Sequence, residues 1–337
     1  MKAAVLPAAR RIEISDLPVP APGPDDIVVR VGACGVCGTD QHIFEGEHIV
    51  RFPVIPGHEM AGEVIAAGAE VRHVKVGDRV ALDPNITCGH CFWCQRGEVH
   101  LCENLEALGV TRNGGFAEYC LSPAKQAVLL PDNVSLESGA LAEPLACCLH
   151  GADRLAVRPG ETVAILGGGY IGMILLQLVK AAGAGTVIVS EPFAPRREAA
   201  RALGADILVD PLKEDLTAIV RDATDGVGVD AAIESAGRKE TAEAAVALAR
   251  RGGRVLFFGV VSPSAVAGIK PYDIYYKELT VMGSFVNPFT HARAVQMLSE
   301  GKVQVECLIS HRFPVDQFAA ALETARSADA VKVIVEP

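Results

Sequence analysis

Residues 162–172 read TVAILGGGYIG, and the chain continues as MILLQLVKAAG to Gly183. A short apolar run of strand type meets Gly167, Gly168, Gly169, Tyr170, Ile171 and Gly172, the pattern GxGxxG, at the mouth of an apolar helical stretch. Such glycines allow a tight turn, approach of the backbone to a pyrophosphate and close helix packing, while the helix N-terminus presents free N–H groups to the phosphates. Alone the pattern is equally a strand-to-helix turn. Here an acid stands in register with it: Glu191 closes the next strand-like run, TVIVSE, 19 residues beyond Gly172. A carboxylate at that point accepts hydrogen bonds from the adenosine ribose and repels the extra phosphate of NADP, so the reading is a dinucleotide site that favours NAD over NADP. Arg196 and Arg197 cut the other way, since either can stack on adenine or meet a 2′-phosphate.

Outward from this stretch, strand and helix patterns alternate. DILVD and KEDLTAIVRDAT follow PRREAARALG, and VDAAIESAG, ETAEAAVALARRG, GRVLFFGV and LTVMGSFV continue the series to about Pro288. That alternation predicts a doubly wound parallel sheet covered by helices, spanning 149–288. Residues 1–148 instead carry short β-type runs such as DDIVVRVGACG, AGEVIAAG and GDRVALDP, punctuated by Gly, Pro and Asp, which predicts a β-rich domain. The last stretch, 289–337, is too short for a domain and is expected to pack back on the first. The fold class is therefore α/β, with a β-rich domain beside a doubly wound one.

At 337 residues the chain has room for two cores. Its net charge of −10 and lack of a basic run make nucleic acid and anionic membranes poor partners. The start, MKAAVLPAARRIEISD, has no apolar core of a secretion signal, and the apolar run near 163–179 is broken by glycines, so the expected location is the cytoplasm with no membrane span. Ten cysteines in that setting argue for metal binding or free thiols over disulfides.

Cys88, Cys91, Cys94 and Cys102 fall within CGHCFWCQRGEVHLC, a spacing that lets one loop fold round a tetrahedral zinc. A closed shell of four thiolates leaves no open position, so this zinc is expected to be structural, with His90 and His100 as bystanders. A second set is scattered: Cys37 in GACGVCGTDQH, His58 and Glu59 in PGHEMAGEV, and Glu143 in LAEPLACCLHG. No spacing rule joins these, and each has an ordinary reading as a buried thiol, a loop histidine or a capping acid. Together a cysteine, a histidine and a carboxylate would hold zinc at three points and leave one open, the arrangement suited to catalysis.

At these residues the sequence resembles the zinc-dependent medium-chain dehydrogenase/reductase family, and the order of GACGVCGTDQH, PGHEMAGEV, the four-cysteine lobe, GGFAEY, LAEPLACCLHG, GGGYIG and HRFP carries the resemblance nearly end to end. Glu143, where classical alcohol dehydrogenases have cysteine, places it nearest the polyol (sorbitol and D-arabinitol) and threonine dehydrogenase branch. The resemblance implies a GroES-like catalytic domain plus a Rossmann domain, with two zinc ions per chain. It makes Cys37 and His58 ligands of the catalytic zinc, Glu59 a ligand or near-ligand, and Glu143 the member that completes the shell directly or through water. It gives Asp40 the orientation of the ligating histidine, Thr39 the contact with the substrate oxygen, and His42 the passage of the proton to solvent. The implied activity is oxidation of a secondary alcohol of a small-molecule polyol to a ketose, with a hinge near 148–152 and 286–290. L-Threonine 3-dehydrogenase and 2,3-butanediol dehydrogenase activity are the alternatives, and a non-catalytic dinucleotide-binding protein a remote one. Phe44, Phe116 and residues 285–289 are expected in the pocket wall, and Arg51, Arg112 and Glu118 are candidates without a place. The implied assembly is a homodimer or homotetramer through the sheet edge near LTVMGSFV.

Overall fold

Two units make up the chain: Met1–Ala146 together with Asn287–Pro337, and Cys147–Val286. The structure is a computed structural model that describes residues 1–47 and 50–337.

In the first unit β1 (Lys2–Ala8) and β2 (Arg11–Asp16) form an antiparallel pair. There follow β3 (Asp26–Val36), α1 (Gly38–Glu45), β4 (Glu59–Ala67), β5 (Arg79–Leu82), β6 (Asn85–Ile86), α2 (Phe92–Gln95), β7 (Glu106–Ala107), β8 (Tyr119–Pro123), β9 (Ala127–Leu129) and α3 (Leu136–Ala140). The helix α4 (Ala142–Leu155) contains the boundary between the units.

The second unit alternates strictly: β10 (Val163–Leu166), α5 (Tyr170–Ala181), β11 (Val187–Ser190), α6 (Ala194–Ala202), β12 (Ile207–Val209), α7 (Leu216–Ala223), β13 (Val229–Glu234), α8 (Lys239–Leu248), β14 (Ala249–Phe257), α9 (Pro271–Lys277) and β15 (Thr280–Gly283). Its six strands are all parallel in the order β12-β11-β10-β13-β14-β15, so the chain reverses direction across the sheet between β10 and β13. Every residue of β10 and β11 is buried, as a strand covered on both faces requires. Sequence punctuation sets the helix starts: Asp215 caps α7 by accepting from the N–H groups of Thr217 and Ala218, and a proline opens α6 and α9. The apolar run near 163–179 is divided between β10 and α5, and among the described residues no helix is long and apolar enough to cross a membrane.

The chain returns to the first unit through α10 (His291–Ser299), β16 (Ile309–Pro314), α11 (Phe318–Thr324) and β17 (Lys332–Glu336). There the main sheet runs β16-β17-β3-β4-β5-β9, with β8 also paired to β3. The late strand β17 is thus an interior strand, parallel to β16 and antiparallel to β3. Its neighbours share one core, in which the ring of Phe116 packs at 4.5 Å, tilted by 39°, against Phe318. This corrects one expectation: Phe116 is fully buried and is core, not pocket wall, because the apolar face of α11 comes back to cover it.

Candidate metal centres and dinucleotide site

The four-cysteine lobe is closed at its base by the ribbon β6–β7, in which Asn85 faces Ala107 and Ile86 faces Glu106. That pairing brings the two ends of the loop together, so Cys88 and Cys102 lie side by side with their sulfurs 3.5 Å apart. Cys91 and Cys94 are supplied by the N-cap and body of α2, and all four sulfurs lie within 4.8 Å of one another. A tetrahedral zinc with bonds of about 2.3 Å needs sulfurs roughly 3.8 Å apart, so the set fits the ion. Backbone N–H groups, that of His90 first, aim at Cys88 and hold its thiol down to about 6 against the cost of burial. Cys91 is lowered in the same way, chiefly by the backbone at Cys94, while burial and neighbouring thiols push Cys94 up to about 12. Nearby backbone donors thus stabilise thiolate, the form that binds metal, at Cys88 and Cys91.

The scattered set is assembled by sheet register. Gly35 at the end of β3 pairs with Glu59 at the start of β4, which sets the residues just beyond them, Cys37 and His58, beside each other. The ligand atoms of Cys37, His58 and Glu59 all lie within 4.8 Å, a spacing and donor set that suit zinc. Glu143 lies outside this cluster, buried in the first turn of α4. Asp40, 1 % exposed, spans the site: one oxygen accepts from the Cys37 N–H at 2.8 Å, the other from Gly57 N–H at 3.3 Å and stands 3.6 Å from His58 Nδ1. Burial pushes the His58 imidazole down, but Asp40 and the Cys37 thiol raise it well above its ordinary value. The Thr39 hydroxyl is 3.8 Å from the Cys37 sulfur, and His42, one turn along α1, is partly exposed and bonded through Nδ1 to Glu47 at 2.9 Å.

One member escaped the sequence reading. Lys332 in β17 is 5 % exposed, ion-paired with Glu59 and bonded to the Val36 carbonyl at 3.0 Å. Desolvation opposes its charge, yet Glu59 and Cys37 raise the ammonium above its usual value. The only signal for it was a lysine inside the apolar run VKVIV.

In the second unit the loop 167–169 leaves β10 and enters α5 with Gly169 as N-cap. Gly167 has φ +110°, and a side chain on Gly172 would run into the Gly167 carbonyl, so both positions require glycine. Tyr170 and Gly172 are buried in the first turn and Ile171 is half-buried beside them. Glu191, 3 % exposed, accepts from Gly168 N–H at 2.8 Å and from Phe193 N–H at 3.0 Å. Arg197 is committed elsewhere, to Asp210 at 3.3 Å and to the carbonyls of Glu191 and Pro192. Arg196 lies 5.2 Å over the exposed ring of Phe193. Of the unplaced candidates, Arg112 pairs with Glu106 and Glu118 accepts from the Lys2 N–H, both in the first unit.

Residues 23–132 match the model of the alcohol dehydrogenase GroES-like domain and residues 171–300 that of zinc-binding dehydrogenase. D-arabinitol dehydrogenase 1 of Uromyces fabae is 37 % identical over 97 % of this chain and 95 % of its own. L-threonine 3-dehydrogenase of Pyrococcus furiosus is 36 % identical over 96 % and 94 %. Among solved structures, a zinc-binding dehydrogenase of Sinorhizobium meliloti 1021 bound to NADP aligns with TM-score 0.97 and 45 % identity over 100 % of this chain and 99 % of that one. Similarity of this extent, running through both units, makes the chain a member of the zinc-binding dehydrogenase family and an oxidoreductase of the alcohol dehydrogenase type.

Proposed function

We propose that the protein oxidises a secondary alcohol of a sugar alcohol to a ketose, delivering hydride to NAD and releasing one proton. The observation that carries this reading is the convergence of Cys37, His58 and Glu59 on one point. Zinc held by Cys37, His58 and Glu59 would supply the Lewis acidity that makes an alcohol oxygen easier to deprotonate, and a dinucleotide held at the glycine loop would supply the hydride acceptor. A second zinc, held by Cys88, Cys91, Cys94 and Cys102, would be structural.

This chain's own groups do the remaining work. Asp40 engages the Nδ1 side of His58 and so leaves Nε2 as the ligating atom. The Thr39 hydroxyl beside Cys37 holds the substrate hydroxyl and relays its proton, accepting it while giving up its own; His42, three residues on along the same helix and bonded to Glu47, accepts the relayed proton and releases it to water. Glu143, buried but apart from the three-residue cluster, would complete the shell directly or through water.

For the cofactor, the buried Glu191 carboxylate at the end of β11 favours NAD, and Arg197, tied to Asp210, offers no partner for a 2′-phosphate. The NADP held by the Sinorhizobium meliloti relative supports the opposite choice. Kinship with D-arabinitol dehydrogenase supports a polyol, and kinship with L-threonine 3-dehydrogenase supports the second reading, an amino-acid alcohol. The edge strand β15, with Tyr272, Tyr275 and Tyr276 exposed on the preceding helix, supports working as a homodimer or homotetramer.

The test is the initial rate of nicotinamide reduction by the zinc-loaded protein on arabinitol, xylitol, sorbitol, galactitol, L-threonine and 2,3-butanediol, each with NAD and NADP. Turnover of the polyols with NAD is expected. Turnover of threonine alone moves the protein to the second reading, and silence on every alcohol overturns the proposal.

A further inference from the structure

We infer that Glu234 is a positioning residue for the dinucleotide, fastening the rims of three strands into one frame; this rests on the dinucleotide reading above. The residue ends β13, next to β10, at the point where the strand order reverses. In open parallel sheets the ligand crevice lies outside the carboxyl ends of the strands at that reversal.

Glu234 is fully buried, and its Oε1 takes three bonds: from Ala236 N–H and Gly237 N–H at 2.9 Å each and from the Thr241 hydroxyl at 2.7 Å. Bonds to a carboxylate are shorter and stronger than neutral ones, so this turn is tightly held. The adjoining Ser235 ties the turn to the glycine loop, its N–H to Leu166 O and its hydroxyl to Gly167 O, both at 2.9 Å. On the other side the Glu234 carbonyl accepts from Phe258 and Gly259, again at 2.9 Å, which binds the exit of β14 to the same residue. A side-chain carbon on Gly259 would sit 2.5 Å from Glu234 Oε2, so a bare glycine is what admits the carboxylate.

Oε2 itself has no hydrogen-bond partner among the described residues. Leaving a buried carboxylate oxygen unpaired costs stability, and a core built for stability alone would place an apolar residue there. What the carboxylate supplies is a fixed spacing between the glycine loop and the turns after β13 and β14. With Glu234 gone, those rims must be ordered when the dinucleotide binds, and that ordering weakens affinity.

The experiment is fluorescence titration of NADH and NADPH into the zinc-loaded wild type, Glu234→Ala, Glu234→Gln and Thr241→Val, with hydrogen exchange followed over 166–172 and 235–237. We expect Glu234→Ala to weaken NADH binding at least tenfold and to speed exchange in both segments. Glu234→Gln, which keeps the acceptor, stays within about threefold of wild type. Should Glu234→Ala not fold, Thr241→Val, which removes one of the three donors, still weakens binding twofold to fivefold. Wild-type affinity in Thr241→Val together with any folded Glu234→Ala overturns the inference alone. A wild type that binds neither dinucleotide overturns the functional reading, and the inference falls with it.

Discussion

Lys332 and Glu59 form an ion pair sealed from water, the lysine 5 % and the glutamate 1 % exposed, between the interior strand β17 and the first residue of β4. Gly35 makes the pair possible, because any side chain there would overlap the Glu59 carboxylate. One oxygen of Glu59 is thereby engaged by the ammonium while the carboxylate remains within the ligand cluster.

Removing one partner of a buried pair strands the other charge, which costs about 3 to 5 kcal/mol. Lys332→Met is therefore expected to lower the urea midpoint of the metal-free protein, and Lys332→Met combined with Glu59→Gln to recover part of the loss. An unchanged midpoint in the single variant contradicts the pairing.

Metal analysis by mass spectrometry should find two zinc ions per chain, and the two centres should fail separately. Cys91→Ser is expected to lose one zinc and to open residues 88–102 to protease, since the four sulfurs hold that loop closed. Cys37→Ala should lose the other zinc and all turnover while NADH still binds. Turnover that survives Cys37→Ala excludes metal-assisted oxidation at this cluster.

Coenzyme preference should turn on Glu191. Hydrogen bonds to a charged group are worth about 1.5 to 3 kcal/mol, so Glu191→Ala is expected to cut kcat/KM for NAD by roughly tenfold to a hundredfold. NADP, freed of the repulsion, should lose less or gain. Equal losses for the two coenzymes would show that the carboxylate serves only the Gly168 and Phe193 N–H groups.

His291 gives the first unit an acid-sensitive point. It is 3 % exposed, desolvation holds it below its ordinary value against the pull of Asp83, and its Nε2 has no partner among the described residues. The unfolded chain takes up a proton near pH 6.5, as the folded one does not, so this group leaves stability untouched above that pH. Below it stability falls by up to about 1.4 kcal/mol per pH unit until the folded value is reached. His291→Gln should flatten the melting temperature between pH 6.5 and pH 5 relative to wild type. Parallel curves for the two proteins would place the acid sensitivity elsewhere.

The parts of the molecule that were legible in the sequence are those whose chemistry is local. CGHCFWCQRGEVHLC folds on itself, and GGGYIG with Glu191 spans one strand, one helix and the next strand. Cys37, His58 and Glu59 come together only through the pairing of β3 with β4, which spacing does not reveal, so resemblance alone linked them. Lys332 and Phe318 reach the same neighbourhood from the far end of the chain, so local pattern neither marks the lysine nor shows that Phe116 belongs to the core instead of the pocket. Arg197 looked like a phosphate partner because its attachment to Asp210 depends on the neighbouring strand β12.

The interior position of β17 sets a schedule for making the protein. Residues 147–286 form an uninterrupted segment and can fold once they have left the ribosome, whereas β3 and β16 lack their shared neighbour until 332–336 have been synthesised. Until then Glu59 stands without its counter-charge, so the centre whose first ligands are translated early is among the last parts of the molecule to be finished.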